Sequence, residues 1–189
     1  MLEDVLQPAL EDGACPHLAV LLRTAVELPP VLASFYALGA RREGWLVHRS
    51  LPGQVDPERA LLAAAGLDVG GLEAEARLVV SELDPAQAPE DYGRAWEPEF
   101  QAALGRGHPA MWYSRFAVGA EIASYDAVMA FDREWEAWFR GREVVTLCPF
   151  IVGDLTAAAT IERVAGLAEL HDGIVLPRGG GFALLERAV

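Results

Sequence analysis

The side chains able to do chemistry in this sequence fall at the ends of apolar runs. Cys148 sits near the C-terminal end of the run 143–150 (EVVTLCPF), which reads as a β-strand. A sulfur there can contact a ligand or sense oxidants, and it can equally be a small buried apolar group. The other run ends carry Thr24, Arg49 with Ser50, Ser81 with Glu82, and Ser114 with Arg115, and Glu121 follows in the next loop. In a parallel sheet these positions gather on the C-terminal rim, where open α/β sheets bind ligands. Arginine forks and carboxylates at that rim can hold a small polar ligand, or they can satisfy one another as ion pairs at loop junctions. The histidines His17, His48, His108 and His171 are scattered, with no HxxxH, HExxH or Cys/His spacing, so no metal site and no cofactor are predicted. His17, close to Cys15, reads as part of a solvated turn before the first strand. His108 precedes Pro109 in a turn and is expected to be exposed. His171 ends a helical pattern, where an imidazolium complements the dipole.

Several chemistries are excluded by what the sequence lacks. All basic residues are arginine; without lysine there is no Walker lysine, Schiff base or lysine general base. The first strand-to-helix turn reads RTAVELPP, with neither GxxxxGK[ST] nor GxGxxG, so a phosphate loop is absent. The glycines Gly179–Gly181 follow the last apolar strand pattern but one and read as a hairpin turn. No GxSxG elbow supports an α/β-hydrolase triad. The formal net charge of −13 repels nucleic-acid backbones and anionic membrane surfaces. The acidic start MLEDVLQPALED does not fit a signal peptide, no run of 18 apolar residues occurs, and two distant cysteines make no disulfide framework; a cytoplasmic setting is expected.

The elements that must position these residues alternate. Residues 17–23, 45–50, 77–83, 110–116, 143–150 and 173–176 read as strands, with 182–187 as a final strand or hairpin partner. Helical patterns cover 27–43, 56–65, 67–76, 92–104, 124–140 and 156–170. Pro29 and Pro30 fit only a first turn, Asp56 before Pro57 reads as an N-cap, Pro98 is expected to kink or split its helix, and Ser124 reads as a cap. The pattern predicts one α/β domain: a mostly parallel sheet of about six or seven strands with helices on both faces. Trp135, Trp138 and Phe139 on the helix 124–140 read as core or interface.

Several stretches resemble the MEDS domain, a sensory domain of methanogens and methylotrophs that also occurs in the dichloromethane-responsive repressor. HLAVLLRT, beginning at His17, is similar to the family's opening strand with its leading histidine. ALGARREGWLVHRS and DPERALLAAAGLDV resemble its helix–glycine–strand step and its helix with a glycine break. FDREWEAWFRGREVVTLCPF resembles the family's helix running into a strand of Thr-x-Leu-Cys-x-Tyr type, with Phe131 and Asp132 at the Tyr-Glu positions, Phe150 at the Tyr position and Cys148 matching directly. His171 stands where the family has His-Pro before its last strand, with Asp172 in place of the proline, and Glu27 corresponds to an acidic residue after the first strand. The resemblance spans about residues 17–178 and implies a RecA/KaiC-like fold without a phosphate loop, with residues 1–16 as an N-terminal extension of a domain covering 17–189.

The function this implies is non-catalytic: a sensory or regulatory domain that binds a small molecule, such as a simple hydrocarbon derivative, and couples to a signalling or transcription partner. The expected ligand-binding residues are Cys148, Arg115, Glu121, Arg49 and Glu82, with His17 and His171 carried by the resemblance alone. Two other readings stand beside it. One is a protein-interaction module on a degenerate ATPase fold, contacting partners or a second copy through the Trp135/Trp138/Phe139 helix. The other is an enzyme using Glu82, Glu121 or Cys148.

Overall fold

Residues 2–84, 87–115, 125–153 and 158–186 are described in a computed structural model. Glu121, the loop expected at 119–124 and the cap expected at Ser124 lie outside the described residues.

Seven strands form one sheet: β1 (His17–Leu22), β2 (Trp45–Ser50), β3 (Leu78–Glu82), β4 (Met111–Arg115), β5 (Val144–Ile151), β6 (Gly173–Arg178) and β7 (Gly181–Glu186). Their spatial order is β3-β2-β4-β5-β1-β6-β7. The first six are parallel, and β7 alone pairs antiparallel, with β6. Every residue of β1, β2 and β4 is buried, which explains why these runs hold unbroken apolar stretches rather than alternating, with the polar residues His48, Arg49, Ser50, Ser114 and Arg115 at the ends of β2 and β4. Gly179 and Gly180 make the hairpin turn before β7, both at positive φ, a conformation that costs glycine little.

The helices are α1 (Leu2–Ala9), α2 (Leu28–Arg41), α3 (Val55–Ala64), α4 (Val69–Ala74), α5 (Pro89–Gly105), α6 (Tyr125–Phe139) and α7 (Ala158–Leu170). Three details differ from the sequence expectation. α3 begins at Val55 with Gln54 as its cap, and Asp56 instead pairs with Arg59 at 3.2 Å in the first turn. α5 continues through Pro98, which forgoes a single backbone bond while the helix stays packed along α6. Residues 1–16 are more than an extension. They contain α1, whose Leu2 and Leu6, with the following Leu10, enter the main core against α2 and β7.

Side-chain alternation splits the sheet into two faces. One face carries Leu18, Val20, Leu46, Trp112, Val145 and Leu147 and packs under α1 to α4. The other carries two apolar clusters. Trp45, Val47, Met111 and Tyr113 pack with Trp96 and Phe100 of α5 and Trp135 and Phe139 of α6. Ala19, Leu21, Cys148, Phe150 and Ile174 pack with Leu167 of α7 and Met129 of α6. α6 therefore contributes to both clusters. It is also seated tightly on α5, since a Cβ at Gly93 would overlap the Trp138 indole. Trp135 and Phe139 are buried there, so the aromatic helix is core rather than a free contact face.

Candidate functional site

A group of polar side chains lies beneath α6 on the second face of the sheet. His17 opens β1 opposite Thr146 of β5, and Cys148 lies two residues further along β5 on the same face. The register brings His17 Nε2 to 3.3 Å from Cys148 Sγ. Glu136 of α6 takes the other ring nitrogen, accepting from His17 Nδ1 at 2.8 Å. His171, in the turn between α7 and β6, lies over His17 with ring centroids 4.0 Å apart and the rings inclined at 40°. Asp172 fixes that turn through a reciprocal pair: the His17 N–H donates to Asp172 Oδ2, and the Asp172 N–H donates to the His17 carbonyl, each at 2.8 Å. One nitrogen from each histidine and the Cys148 sulfur all lie within 4.8 Å of one another.

All three of these residues are buried, His17 and His171 to 1% exposure and Cys148 to 0%. His17 is thus not in a solvated turn, because α6 closes over the start of β1 and Phe139 packs edge-on against its ring. His171 Nδ1–H donates to the Leu167 carbonyl at 2.8 Å, as a helix-end residue should, while its Nε2 is buried without a hydrogen-bond partner among the described residues. It does so as a neutral ring. Burial, then the charges of His17 and Arg115, push His171 well below 6.5, and the imidazolium expected at this helix end is not favoured. Burial also pushes His17 down, but the adjacent Cys148 sulfur and the Glu136 and Asp132 carboxylates outweigh it and raise the imidazole to about 10. Burial would raise Glu136, but His17 and then Arg140 hold it below its ordinary value.

On the far side of Cys148, Arg115 ends β4 on the same face and donates to Asp132 Oδ1 of α6 at 2.8 Å. Both are buried, Asp132 completely, so this is an internal ion pair. Burial disfavours the Arg115 charge, and Asp132 more than restores it. Of the expected ligand residues, Arg115 therefore neighbours the cluster but is committed to a carboxylate. Arg49 of β2 is level with Arg115 on the same face of the sheet, but its guanidinium turns away from the cluster. It donates to Ser81 Oγ at 2.7 Å and sits 5.0 Å from the Trp96 ring centre, on a separate cleft of about 360 Å³ lined also by Trp45 and Glu99. Glu82 accepts from the Gly53 N–H at 2.7 Å. Arg49 is level with Ser81 and Ser50 with Glu82, so Arg49 and Glu82 point to opposite faces. Of the described rim residues, Arg49 and Arg115 thus share a face and Glu82 does not, and the cluster around Cys148 lies inside the fold.

Three residues that build the cluster escaped the sequence analysis in this role: Glu136, Asp132 and Asp172. The first two had a legible signal. Asp132 and Glu136 lie four apart, interleaved with Trp135 and Phe139, so two carboxylates fall on the apolar stripe of the helix. Asp172, where the resembled family carries proline, is the residue that locks His171 beside His17.

The turn after β1, where a nucleotide-binding α/β protein grips phosphate, is occupied by the chain's own acid. Glu27 accepts from the backbone N–H groups of Arg23 at 2.6 Å and Thr24 at 3.4 Å. Backbone donors that could face an anion thus face a carboxylate, whose charge would also repel phosphate.

The cluster itself has donor atoms for two kinds of chemistry. The order sulfur, imidazole, carboxylate is that of a thiol nucleophile with an oriented base. Alternatively, two imidazoles and a thiol, each histidine anchored through its other nitrogen, are the donor set and the outer support of a transition-metal site.

No sequence-family profile matches the chain, and no curated protein matches it. Among solved structures, an uncharacterized protein from Pyrococcus horikoshii in complex with an unknown peptide superposes with a TM-score of 0.61 at 14% identity, covering 97% of this chain and 89% of that one. A KaiC-like protein from P. horikoshii OT3 gives 0.60 at 12% identity, covering 87% and 73%. At such identities the likeness concerns the backbone arrangement alone. The chain has a RecA/KaiC-like α/β fold, without a phosphate loop and with a buried histidine–cysteine cluster beneath its sixth helix.

Proposed function

We propose that the chain is a non-catalytic sensory or regulatory domain of the MEDS type, and that its input site is the His17–Cys148–His171 cluster rather than the C-terminal rim. One observation carries this reading: His171 Nε2 is a buried acceptor without a hydrogen-bond partner among the described residues, whereas His17 and His48 have both ring nitrogens engaged. A buried polar atom left in that state costs about 1–3 kcal/mol, which a small ligand contacting it would recover. A ligand at the cluster would act on α6 through Glu136 and on the α7–β6 turn through His171 and Asp172. Those contacts can favour one arrangement of these elements over another and pass it to a signalling or transcription partner. The test is thermal melting of the purified chain against a panel of small metabolites and simple hydrocarbon derivatives. A saturable rise in Tm, lost in Cys148→Ala and in His171→Ala, is the expected result. A panel without effect, or a rise retained in both variants, contradicts the reading.

The second reading is a peptide-binding module, and it draws on the unknown peptide in the P. horikoshii structure. Here the edge strand β7 leaves Leu185 53% exposed, a surface to which an extended peptide could add. Loss of peptide binding in Leu185→Glu, with the Cys148 variants unaffected, would favour it.

A further inference from the structure

We infer that the His17–Cys148–His171 cluster is a metal site, and that its ion is Zn²⁺ held by His17 Nε2, His171 Nε2 and Cys148 Sγ with one position left open. The inference deepens the sensory reading above by naming the ligand of its input site, and it rests on that reading only for the purpose the ion serves. Four observations carry it. The donor set, two imidazoles and one thiol, suits a borderline-soft ion such as zinc and is poor for magnesium or calcium, which take oxygen. The spacing fits. Zinc bonds of about 2.0–2.1 Å to nitrogen and 2.3 Å to sulfur, set tetrahedrally, separate N and S by about 3.5 Å. His17 Nε2 and Cys148 Sγ are already 3.3 Å apart, and a ring nitrogen of His171 lies within 4.8 Å of both, so the His171 ring has to draw in to complete the set.

Each histidine is also oriented from behind as metal-bound imidazoles are. His17 Nδ1–H is held by the Glu136 carboxylate and His171 Nδ1–H by the Leu167 carbonyl, which in both rings leaves Nε2 for the ion. His171 Nε2 has no hydrogen-bond partner among the described residues, a place that a bound ion fills. Finally, the surroundings balance the charge. With the cation and a Cys148 thiolate in place, the Glu136 and Asp132 carboxylates and the Arg115 guanidinium bring the formal charge of the buried region to zero. On binding, His17 Nε2 and the Cys148 sulfur give up to solvent whatever protons they carry as the Zn–N and Zn–S bonds form, His17 keeping its Nδ1–H on Glu136, and no oxidant or reductant takes part. With three protein donors, the fourth position is available to water or to an incoming small molecule.

The test uses the full chain, stripped with a chelator and titrated with Co²⁺ as a spectroscopic stand-in and then with Zn²⁺. One equivalent of Co²⁺ should produce a sulfur-to-cobalt charge-transfer band and the intense visible bands of a four-coordinate ion, both abolished by one equivalent of Zn²⁺. Cys148→Ser should remove the charge-transfer band. His171→Ala should weaken Zn²⁺ at least tenfold, and Glu136→Gln, which leaves every donor in place, should weaken it 10- to 100-fold. Circular dichroism of each variant establishes that it is folded, and Glu136→Gln carries the test if a donor variant is not. Failure of the folded wild-type chain to bind an equivalent of either ion overturns the inference, as does binding undiminished in Cys148→Ser and His171→Ala. If no ion binds while an organic compound raises Tm through Cys148, the metal fails and the sensory reading survives. If the ion binds and the small-molecule panel never shifts the loaded chain, the sensory reading fails and the metal site stands.

Discussion

Each face of the sheet buries a histidine network, and the two are completed differently. Beneath α2 and α3, His48 of β2 lies 3.0 Å from the Tyr36 hydroxyl through Nδ1 and 2.6 Å from Glu58 through Nε2. Ser50 also donates to Glu58, and the Tyr36 O–H reaches the Val47 carbonyl at 3.0 Å. Every ring nitrogen has a partner, and the network ties α2 and α3 to the sheet. Beneath α6, His17 is equally well held, but the neighbouring His171 presents one nitrogen to a thiol-containing cluster and to no hydrogen-bond partner among the described residues. Two chemically similar groups of residues are thus distinguished by whether the fold itself completes them. The completed network is architecture. The incomplete one is where a ligand has something to add.

The comparison is sharpened by substitutions of graded effect. The largest is expected from Asp132→Ala, which takes the Asp132 carboxylate away from the buried Arg115 charge; urea unfolding should show a loss of about 3–5 kcal/mol. Glu58→Ala removes the acceptor of His48 and Ser50 and should lose about 1–3 kcal/mol in the same assay, equally with and without Zn²⁺. His171→Leu should behave otherwise. In metal-free protein it exchanges an unsatisfied nitrogen for apolar surface, and the Leu167 carbonyl keeps the His171 backbone N–H, so the change should stay within about 1 kcal/mol. A loss as large as that of Glu58→Ala would break the distinction between the two networks.

The smallest effect lies outside both. Glu97 of α5 is held below its ordinary value first by the Arg142 hydrogen bonds and then by Gln101 and Trp138. A depressed carboxylate contributes stability that is present above the ordinary value of 4.5 and lost as pH falls through the lowered one. Because the pair is partly exposed, Glu97→Gln should reduce stability at neutral pH by less than about 1 kcal/mol, with wild type and variant converging in acid.

Much of the architecture was legible in the residues. Fully apolar runs alternating with helical periods gave the parallel sheet with both faces covered, and the turn RTAVELPP already excluded a phosphate loop. The site was legible only in part. Cys148, His17 and His171 were marked, but their meeting depends on β5 lying beside β1 and β1 beside β6, an order that sequence alternation does not determine. The rim placement held for Arg49 and Arg115, which are level on one face, and missed Glu82 for a parity reason: residues at strand ends share a face only when their registers agree. The burial of His17 depended on α6, whose paired acids Asp132 and Glu136 are explained only by the cations they meet across the interface.

The central claim is that the cluster beneath α6 accepts a ligand whereas the His48 network does not. Long-range ¹H–¹⁵N correlation spectra of the histidine rings, recorded on the chelated full chain and again after one equivalent of Zn²⁺, test it most directly. The account predicts that His171 Nε2 and His17 Nε2 shift to metal-bound values while both His48 nitrogens stay in place. Unmoved resonances in the cluster, or a matching displacement of His48, would contradict it.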